Sequence, residues 1–173
     1  MRRLDEIATT LESFPGVVVA LFGSVDDVVL RTRPEPGEWC PIEVVVHLIA
    51  CDGPAFGDRI AAIADGEERL GGFDPHAAID ACKVDSVSIE GLLDEFRASR
   101  AAAAAFVRSL APDTLDRTSS FGDQRRFAAS DFLHEWPFHD QDHLQQIVAA
   151  TKLAYVPHFG DDMRRALGLG ADR

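Results

Sequence analysis

Three histidines in this sequence have the spacing of ligands for one metal ion. His139 and His143 lie four residues apart in a segment with helical character, and residues i and i+4 fall within roughly 40° of each other on a helix. Two imidazoles on one helix face can bind the same ion. His47, in a second helical segment, supplies the ligand that this pair lacks. The sequence therefore predicts a three-histidine metal site between two helices.

The predicted site differs from a closed structural metal site, because three imidazole ligands leave coordination positions for water or a substrate. A metal ion held in this way can lower the pKa of bound water to about 7, or bind and activate a thiolate. Zinc is the first expectation for imidazole ligands, and nickel, iron and manganese also accept them. We therefore expect a divalent metal cofactor whose identity is open among these four.

Two carboxylates and one thiol lie one helical turn from the predicted ligands. Glu43 precedes His47, and Glu135 precedes His139, by four residues. Either carboxylate could orient a ligand histidine, and a surface ion pair explains each equally well. Cys51 follows His47 by four residues. A role as ligand or redox thiol is open to it, but a buried structural cysteine is the favoured interpretation, because free cysteine packs as a small apolar residue.

The other polar and aromatic residues of these segments are expected to be structural. His134 lies about 140° round the helix from His139, so we expect it to pack or hydrogen-bond away from the site. Trp39 is expected to pack as a core anchor at the start of its helix. Asp140 and Asp142 are expected to be solvated, and Gln146 is expected to form a hydrogen bond within the bundle. No role is assigned to His76 or His158.

Composition and charge exclude several classes of partner. The chain has 173 residues, enough for one domain with a core. Its formal net charge of -12 argues against nucleic acid or an anionic membrane, since both attract clustered positive charge. No apolar run approaches the roughly 20 residues of a membrane span. No apolar segment directly follows the basic residues at the start, so no signal peptide is indicated and we expect a cytoplasmic protein. The expected partner is a small-molecule substrate.

Apolar periodicity predicts the helices that position these residues. Residues 3–14 read as a helix that Pro15 and Gly16 interrupt and that resumes as a short buried segment at 17–22. Three longer helices are expected: Pro41 to about Ala64 with a kink at Gly53-Pro54, Ile89 to about Leu110 with Ser88 as its cap, and Ser130 to Leu153 with a kink at Pro137. Together they predict an all-α four-helix bundle.

The connections are expected to be irregular. Loops are predicted at residues 26–39, 65–86 and 113–126, where prolines, glycines and polar residues break the apolar pattern. The last of these loops is expected to contain a tight turn at 121–124. After residue 155 a tail is predicted, with a short amphipathic helix near 163–167 that then frays.

Two motifs occur in the second and fourth predicted helices. The first is Gly37-Glu-Trp39-x-x-x-Glu43-Val-x-x-His47-Leu48, and the second is Phe132-Leu-His-x-x-x-x-His139-Asp-x-x-His143-x-x-Gln146-Ile147. In this order they resemble the DinB/YfiT-like superfamily, and the resemblance runs from about residue 3 to residue 155. It implies a DinB-like domain at residues 1–155 and a C-terminal tail at residues 156–173.

The resemblance implies an up-down-down-up bundle, usually homodimeric, with a divalent metal held by three histidines. Matched position by position, these ligands fall on His47, His139 and His143. The superfamily includes S-transferases and isomerases that use mycothiol, bacillithiol or glutathione, and members described as metal-dependent hydrolases. It therefore implies that the metal activates either a low-molecular-weight thiol or water.

Two functional hypotheses follow. The first is a metal-dependent enzyme, either a thiol S-transferase or a hydrolase. A thiol S-transferase would need cationic groups near the metal, for which Arg31, Arg33 and Arg59 are candidates. A hydrolase would use the same ion with water. The second is a non-catalytic metal-binding stress or regulatory module. A closed four-ligand site, completed by Cys51 or Glu43, would favour the second hypothesis.

Overall fold

Four long helical stretches build the fold in the computed structural model, which describes residues 3–122 and 125–169. They are α1 (Leu4–Phe22); α3 (Pro41–Cys51), which continues through a π-helical turn (Asp52–Gly57) into α4 (Asp58–Ala64); α6 (Ile89–Ser109); and α7 (Ala129–Lys152). The connections contain α2 (Asp27–Arg31), α5 (Ala77–Ala81), the antiparallel strands β1 (Thr118–Phe121) and β2 (Arg125–Ala128), and, in the tail, α8 (Asp161–Ala166). Short 3-10 turns lie at Val84–Ser86, Pro112–Thr114 and Leu153–His158. This arrangement confirms a mostly helical four-helix bundle, to which the short hairpin of β1 and β2 is an addition that the all-α prediction did not include.

The first helix is continuous, so the predicted interruption at Pro15 and Gly16 is wrong. Pro15 lies inside α1 and is buried. A proline in a helix interior costs about 3 kcal/mol, because it lacks an N–H and clashes with the preceding turn. Burial of one large apolar side chain contributes about 1.5–3 kcal/mol. The helix buries Phe14, Val18 and Phe22 around the proline, and their burial outweighs the cost.

The second stretch runs from Pro41 to Ala64 as predicted, and its distortion at Gly53-Pro54 is a π-helical turn. Pro54 has no N–H to donate to the helix, and the wider π turn accommodates that loss. The turn also packs closely, since a Cβ atom at Gly57 would lie 3.1 Å from the carbonyl oxygen of Asp52. The Asp52 side chain is buried in the bundle.

Regular structure occurs in all three predicted loops. Residues 26–39 contain α2, residues 65–86 contain α5, and residues 113–126 contain β1 and the start of β2. Ser120 of β1 joins the second connection, because its carbonyl accepts the N–H of Leu70 and its N–H donates to the carbonyl of Glu68, each at 2.9 Å. The strands are polar, so no apolar alternation indicates them. The predicted turn at 121–124 includes Asp123 and Gln124, which lie outside the described residues.

The last two long helices lie close to their predicted bounds. Ser88 caps α6, its hydroxyl oxygen accepting the N–H of Gly91 at 3.2 Å, and α7 continues through Pro137. In the tail, α8 overlaps the predicted short helix, whereas the predicted fraying falls partly on residues 170–173, outside the described residues. The division of the chain at residue 155 stays a prediction. Across residues 3–122 and 125–169, every helix is too short or too polar to cross a membrane.

The apolar core consists of two clusters of buried side chains. One includes Leu11, Phe56, Val107 and Trp136, and the other includes Phe14, Leu48, Phe96 and Ile147. Along each long helix the two clusters occupy different segments. On α6 the buried residue between them is Arg100, which is 1% exposed.

Arg100 forms an ion network inside the bundle. Its guanidinium donates two hydrogen bonds to the carboxylate of Asp140, at 2.5 and 2.7 Å. Its Nε lies 3.2 Å from Oδ1 of Asp52, an ion-pair contact without hydrogen-bond alignment. Asp52 also accepts hydrogen bonds from Ser99 Oγ at 2.6 Å and Trp136 Nε1 at 3.1 Å. Asp140 is buried, so the expectation that it is solvated is wrong: a buried cation on α6 requires a carboxylate partner.

We expect Arg100→Met to lower the free energy of unfolding by about 3–5 kcal/mol, because it leaves two buried carboxylates without their cation. The matched control is Arg97→Met on the same helix. Arg97 pairs with Asp94 at the surface, and an exposed pair contributes at most about 1 kcal/mol. Urea denaturation of the two variants measures the difference. Equal, small losses would contradict the importance of the network.

Candidate metal centre

The three predicted histidines meet between α3 and α7. His47 lies on α3, whereas His139 and His143 lie on α7, and these two helices pack against each other. His139 Nε2 is 3.3 Å from Nε2 of His47 and 3.1 Å from Nε2 of His143. The fold therefore brings one nitrogen of each imidazole to the same point.

Hydrogen bonds to the opposite ring nitrogens determine the tautomers of two of these histidines. Nδ1 of His47 lies 3.0 Å from the carbonyl oxygen of Pro75, and Nδ1 of His143 lies 2.8 Å from Oε1 of Gln146. Both oxygens accept hydrogen bonds, so each Nδ1 carries the proton and each Nε2 keeps a free lone pair. The hydrogen bond predicted for Gln146 is confirmed. The role of the Pro75 carbonyl has no signal in the sequence.

The geometry at His139 matches a metal site. Its Nε2 faces the lone pairs of two imidazoles, and one N–H there could donate to only one of them. Its buried Nδ1 has no hydrogen-bond partner among residues 3–122 and 125–169. Two nitrogens bound to zinc at about 2.0–2.1 Å in a tetrahedral site lie about 3.3 Å apart. The three residues therefore fit a cation that uses all three lone pairs.

Electrostatics keep the three rings neutral. Burial, the neighbouring imidazoles of His143 and His47, and the charge of Arg100 together lower the pKa of His139 to about 3. Burial likewise lowers the pKa of His47 to about 4, against the hydrogen bond to Pro75. The pKa of His143 is lowered by burial as well. Neutral imidazoles are the form that binds metals.

Cys51 adds a sulfur atom beside two of these histidines, His47 and His139. It is 2% exposed, which agrees with the predicted buried cysteine, and its Sγ lies 3.5 Å from Nε2 of His47. Potential metal-binding atoms of His47, Cys51 and His139 all lie within 4.8 Å of one another. Burial raises the pKa of the thiol to about 12.

Aromatic rings enclose the histidines on two sides. The ring of Trp39 lies 4.8 Å from that of His47 and stacks on His143, with centroids 6.0 Å apart and planes 15° apart. Trp39 therefore contacts the candidate site, beyond the core packing that was expected. His76, which had no assigned role, meets the edge of Trp39 at 5.5 Å. On the other side, the Phe56 ring lies 5.2 Å from that of His139.

Neither glutamate orients a histidine. Glu43 is buried and accepts hydrogen bonds from the Arg33 side chain and from the backbone N–H of Cys40, the latter at 2.9 Å. Although burial raises the pKa of Glu43, these hydrogen bonds outweigh it and the pKa is lowered. Glu43 thus stabilises the start of α3 through a buried ion pair. It neither orients a ligand histidine nor forms the surface ion pair that was the alternative. Glu135 is exposed.

The three candidate arginines have different surroundings. Arg31 donates to the carbonyl oxygens of Val84 and Val87, and Arg33 pairs with Glu43. The guanidinium of Arg59 lies over two phenylalanine rings, 4.8 Å from the centroid of Phe121 and 5.5 Å from that of Phe132. Two of the three are therefore committed to contacts within the protein.

Two smaller expectations are confirmed, and a cleft adjoins the site. His134 hydrogen-bonds away from the histidines, its Nδ1 lying 2.6 Å from the carbonyl oxygen of Ser130, and Asp142 is exposed. The cleft has a volume of about 260 Å³ and shares two residues with the surroundings of the histidines. Its lining comprises Pro34, Glu35, Glu38, Trp39, Gln146, Ala149, Lys152 and Leu153.

Comparisons with known proteins identify the family. The DinB superfamily profile matches residues 10–147, so the chain belongs to the DinB superfamily. Among solved structures it is similar to YfiT from Bacillus subtilis, a DinB-like protein described as a probable metal-dependent hydrolase with an unusual four-helix bundle topology. The identity is 18%, the TM-score is 0.76, and 87% of each chain is covered. No curated protein matches the sequence.

We expect the metal-free protein to lose stability as the pH falls from 7 to 5. A histidine in the unfolded chain has a pKa of about 6.5, whereas folded His139 titrates at about 3. Between these pKa values the unfolded state binds a proton that the folded state does not bind. The free energy of unfolding therefore falls by up to about 1.4 kcal/mol per pH unit for each such histidine.

Urea denaturation of chelator-treated protein across this range measures the effect. His139→Gln should show a shallower loss than the wild type, while His158→Gln, at an exposed tail position, should follow the wild type. Asp140, whose pKa burial raises to about 6, acts with the opposite sign, so the difference between variants isolates His139. Identical slopes for all three proteins would contradict the prediction.

Proposed function

We propose that the protein is a metal-dependent hydrolase whose divalent ion is held by His47, His139 and His143. The observation that carries the proposal is the convergence at His139, whose Nε2 lies 3.3 Å from Nε2 of His47 and 3.1 Å from Nε2 of His143. Zinc is the first candidate on ligand type, with nickel, iron and manganese as alternatives. The similarity to YfiT, described as a probable metal-dependent hydrolase, supports the same reaction class.

The residues around the ion would prepare the site. The Pro75 carbonyl and the Gln146 amide hold two ligand rings with their Nε2 lone pairs inward. Trp39 and Phe56 cover two sides of the histidines and limit the access of bulk water. A divalent ion in this position would supply Lewis acidity and lower the pKa of a bound water. The 260 Å³ cleft next to Trp39 suits a small-molecule substrate.

A thiol-dependent transferase has weaker support from the side chains. A charged thiol cofactor would need cationic groups, but Arg31 and Arg33 already have internal partners. Arg59 forms no ion pair within 4.0 Å among residues 3–122 and 125–169, but it packs on phenylalanine rings, and burial lowers its pKa more than the nearby carboxylate of Glu135 raises it. A low-molecular-weight thiol stays the alternative co-substrate, and an activity assay distinguishes thiol transfer from hydrolysis.

A non-catalytic metal-binding module has one observation in its favour. Cys51 Sγ lies 3.5 Å from the Nε2 of His47, close enough for a fourth ligand in a closed site. A closed site does not need to admit water. Metal binding without turnover would support this alternative.

We also propose the up-down-down-up order of helices that the family implies. The ion pairs of Arg108, near the end of α6, with Asp5, near the start of α1, support an antiparallel pair. His47 contacts His139, whereas Asp52, further along the second stretch, contacts Trp136, nearer the start of α7. This reversed order supports a second antiparallel pair. A homodimer and a cytoplasmic location stay predictions.

We expect about one equivalent of a divalent metal per wild-type chain, since three neutral imidazoles converge. His143→Ala should lose most of it, and His158→Ala, at an exposed histidine in the tail, should retain it. Mass spectrometry of tag-free protein, as purified and after reconstitution with zinc or nickel, measures the content. Wild-type protein without metal after reconstitution would refute the centre.

We expect the reconstituted protein to hydrolyse at least one of a set of chromogenic carboxylic esters, amides and phosphoesters. His143→Ala should lower the rate by at least about 100-fold, because even loss of a residue that only orients a ligand costs about 10–100-fold, and His158→Ala should not change it. A parallel assay supplies glutathione, bacillithiol or mycothiol with an electrophilic aryl halide. Metal-dependent consumption of thiol without hydrolysis would replace the hydrolase by the transferase.

A further inference from the structure

Cys51 belongs to the buried apolar core and also lies at the edge of the histidine cluster. It follows His47 by one helical turn, at the last residue of α3 before the π-helical turn. Its Sγ is 3.5 Å from Nε2 of His47 and 3.8 Å from Nδ1. The sulfur therefore lies nearer to the nitrogen that converges with the other histidines.

We infer that Cys51 is a fourth ligand of the proposed metal centre, bound through its sulfur. In a tetrahedral zinc site with Zn–N of about 2.0–2.1 Å and Zn–S of about 2.3 Å, sulfur and nitrogen ligands lie about 3.5 Å apart. The distance from Cys51 Sγ to His47 Nε2 has this value. The inference rests on the proposed function only for the presence of the ion.

A thiol hydrogen bond to His47 explains the same distance less completely. The Nε2 of His47 has one lone pair in the ring plane, since Nδ1 carries the proton. That lone pair also faces His139 Nε2 at 3.3 Å. When the lone pair binds an ion, the buried thiol loses its acceptor. Binding as the thiolate, with release of one proton to solvent, restores a partner for the sulfur.

The other buried acids near the site are already engaged. Asp52 and Asp140 share the guanidinium of Arg100, and Glu43 binds Arg33. Cys40 lies at the start of α3, about 10 Å along the helix from His47, and Cys82 follows α5. Among the cysteines and acids compared, Cys51 is the donor that lies within 4.8 Å of ligand atoms of both His47 and His139.

A thiolate ligand has two consequences for the centre. It favours zinc or cobalt over manganese, because sulfur is a soft ligand. It also fills the fourth position of a tetrahedral site, which favours the non-catalytic module unless water or a substrate displaces the thiolate. Cys51→Ala would then open a position rather than destroy the site.

Cobalt substitution tests the inference by a signal that does not depend on activity. Chelator-treated wild type, Cys51→Ser, Cys51→Ala and the control Cys82→Ser are titrated with Co²⁺, and the near-ultraviolet sulfur-to-cobalt charge-transfer band is recorded with the visible bands. Wild type and Cys82→Ser should show the charge-transfer band. Both Cys51 variants should bind one Co²⁺ at the histidines and lose that band.

Each outcome decides the question. Cobalt binding by the wild type without the charge-transfer band, or with a band that Cys51→Ala retains, overturns the inference and leaves the three-histidine centre intact. Failure of the wild type to bind cobalt or zinc overturns both this inference and the three-histidine centre.

Because a Cys51 variant could misfold, circular dichroism checks each protein, and X-ray absorption of the zinc-loaded wild type provides an independent measurement. One sulfur at about 2.3 Å is expected there, and a shell of nitrogen and oxygen alone overturns the inference.

Discussion

The buried contact between Arg100 and Asp140 is the interaction on which the arrangement of the bundle depends. It joins α6 to α7, and the same guanidinium reaches Asp52 in the π-helical turn. Loss of the cation would leave two carboxylates in the core, which is far more costly than loss of a surface pair. Asp140 is the neighbour of His139, and Asp52 is the neighbour of Cys51. The network that holds three helical stretches together therefore also sets the relative positions of the groups in the candidate metal centre.

A second constraint comes from outside the helices. The carbonyl of Pro75 determines the tautomer of His47, and Pro75 lies in the connection between α4 and α5. The hairpin fastens the earlier part of that connection, because Ser120 pairs with Glu68 and Leu70 and the Ser119 hydroxyl donates to the carbonyl of Glu67. A small sheet distant from His47 in sequence thus helps to place the acceptor that orients this histidine. Orienting groups beyond the ligands contribute substantially to metal affinity.

Sequence reasoning was most successful where periodicity carries the information. Apolar spacing predicted the long helices, and the i, i+4 pair of His139 and His143 placed two imidazoles on one face. It was less successful where tertiary contacts decide. Pro15 is tolerated because the side chains around it are buried, and Asp140 is buried because Arg100 on another helix requires a partner. The polar strands of the hairpin have no apolar alternation to reveal them, and no side-chain pattern can indicate a backbone carbonyl such as that of Pro75.

The centre also links binding to stability. Burial lowers the pKa of all three imidazoles, and neighbouring imidazoles lower those of His47 and His139 further. Without a cation the fold therefore directs lone pairs towards one another, and Nδ1 of His139 has no hydrogen-bond partner within the described residues. These features cost stability in the metal-free chain. An ion bound at the proposed position would remove the repulsion between the lone pairs and cross-link α3 to α7, and part of its binding free energy would appear as stabilisation of the fold. The same geometry that prepares the site for a metal therefore makes the α3–α7 contact depend on it.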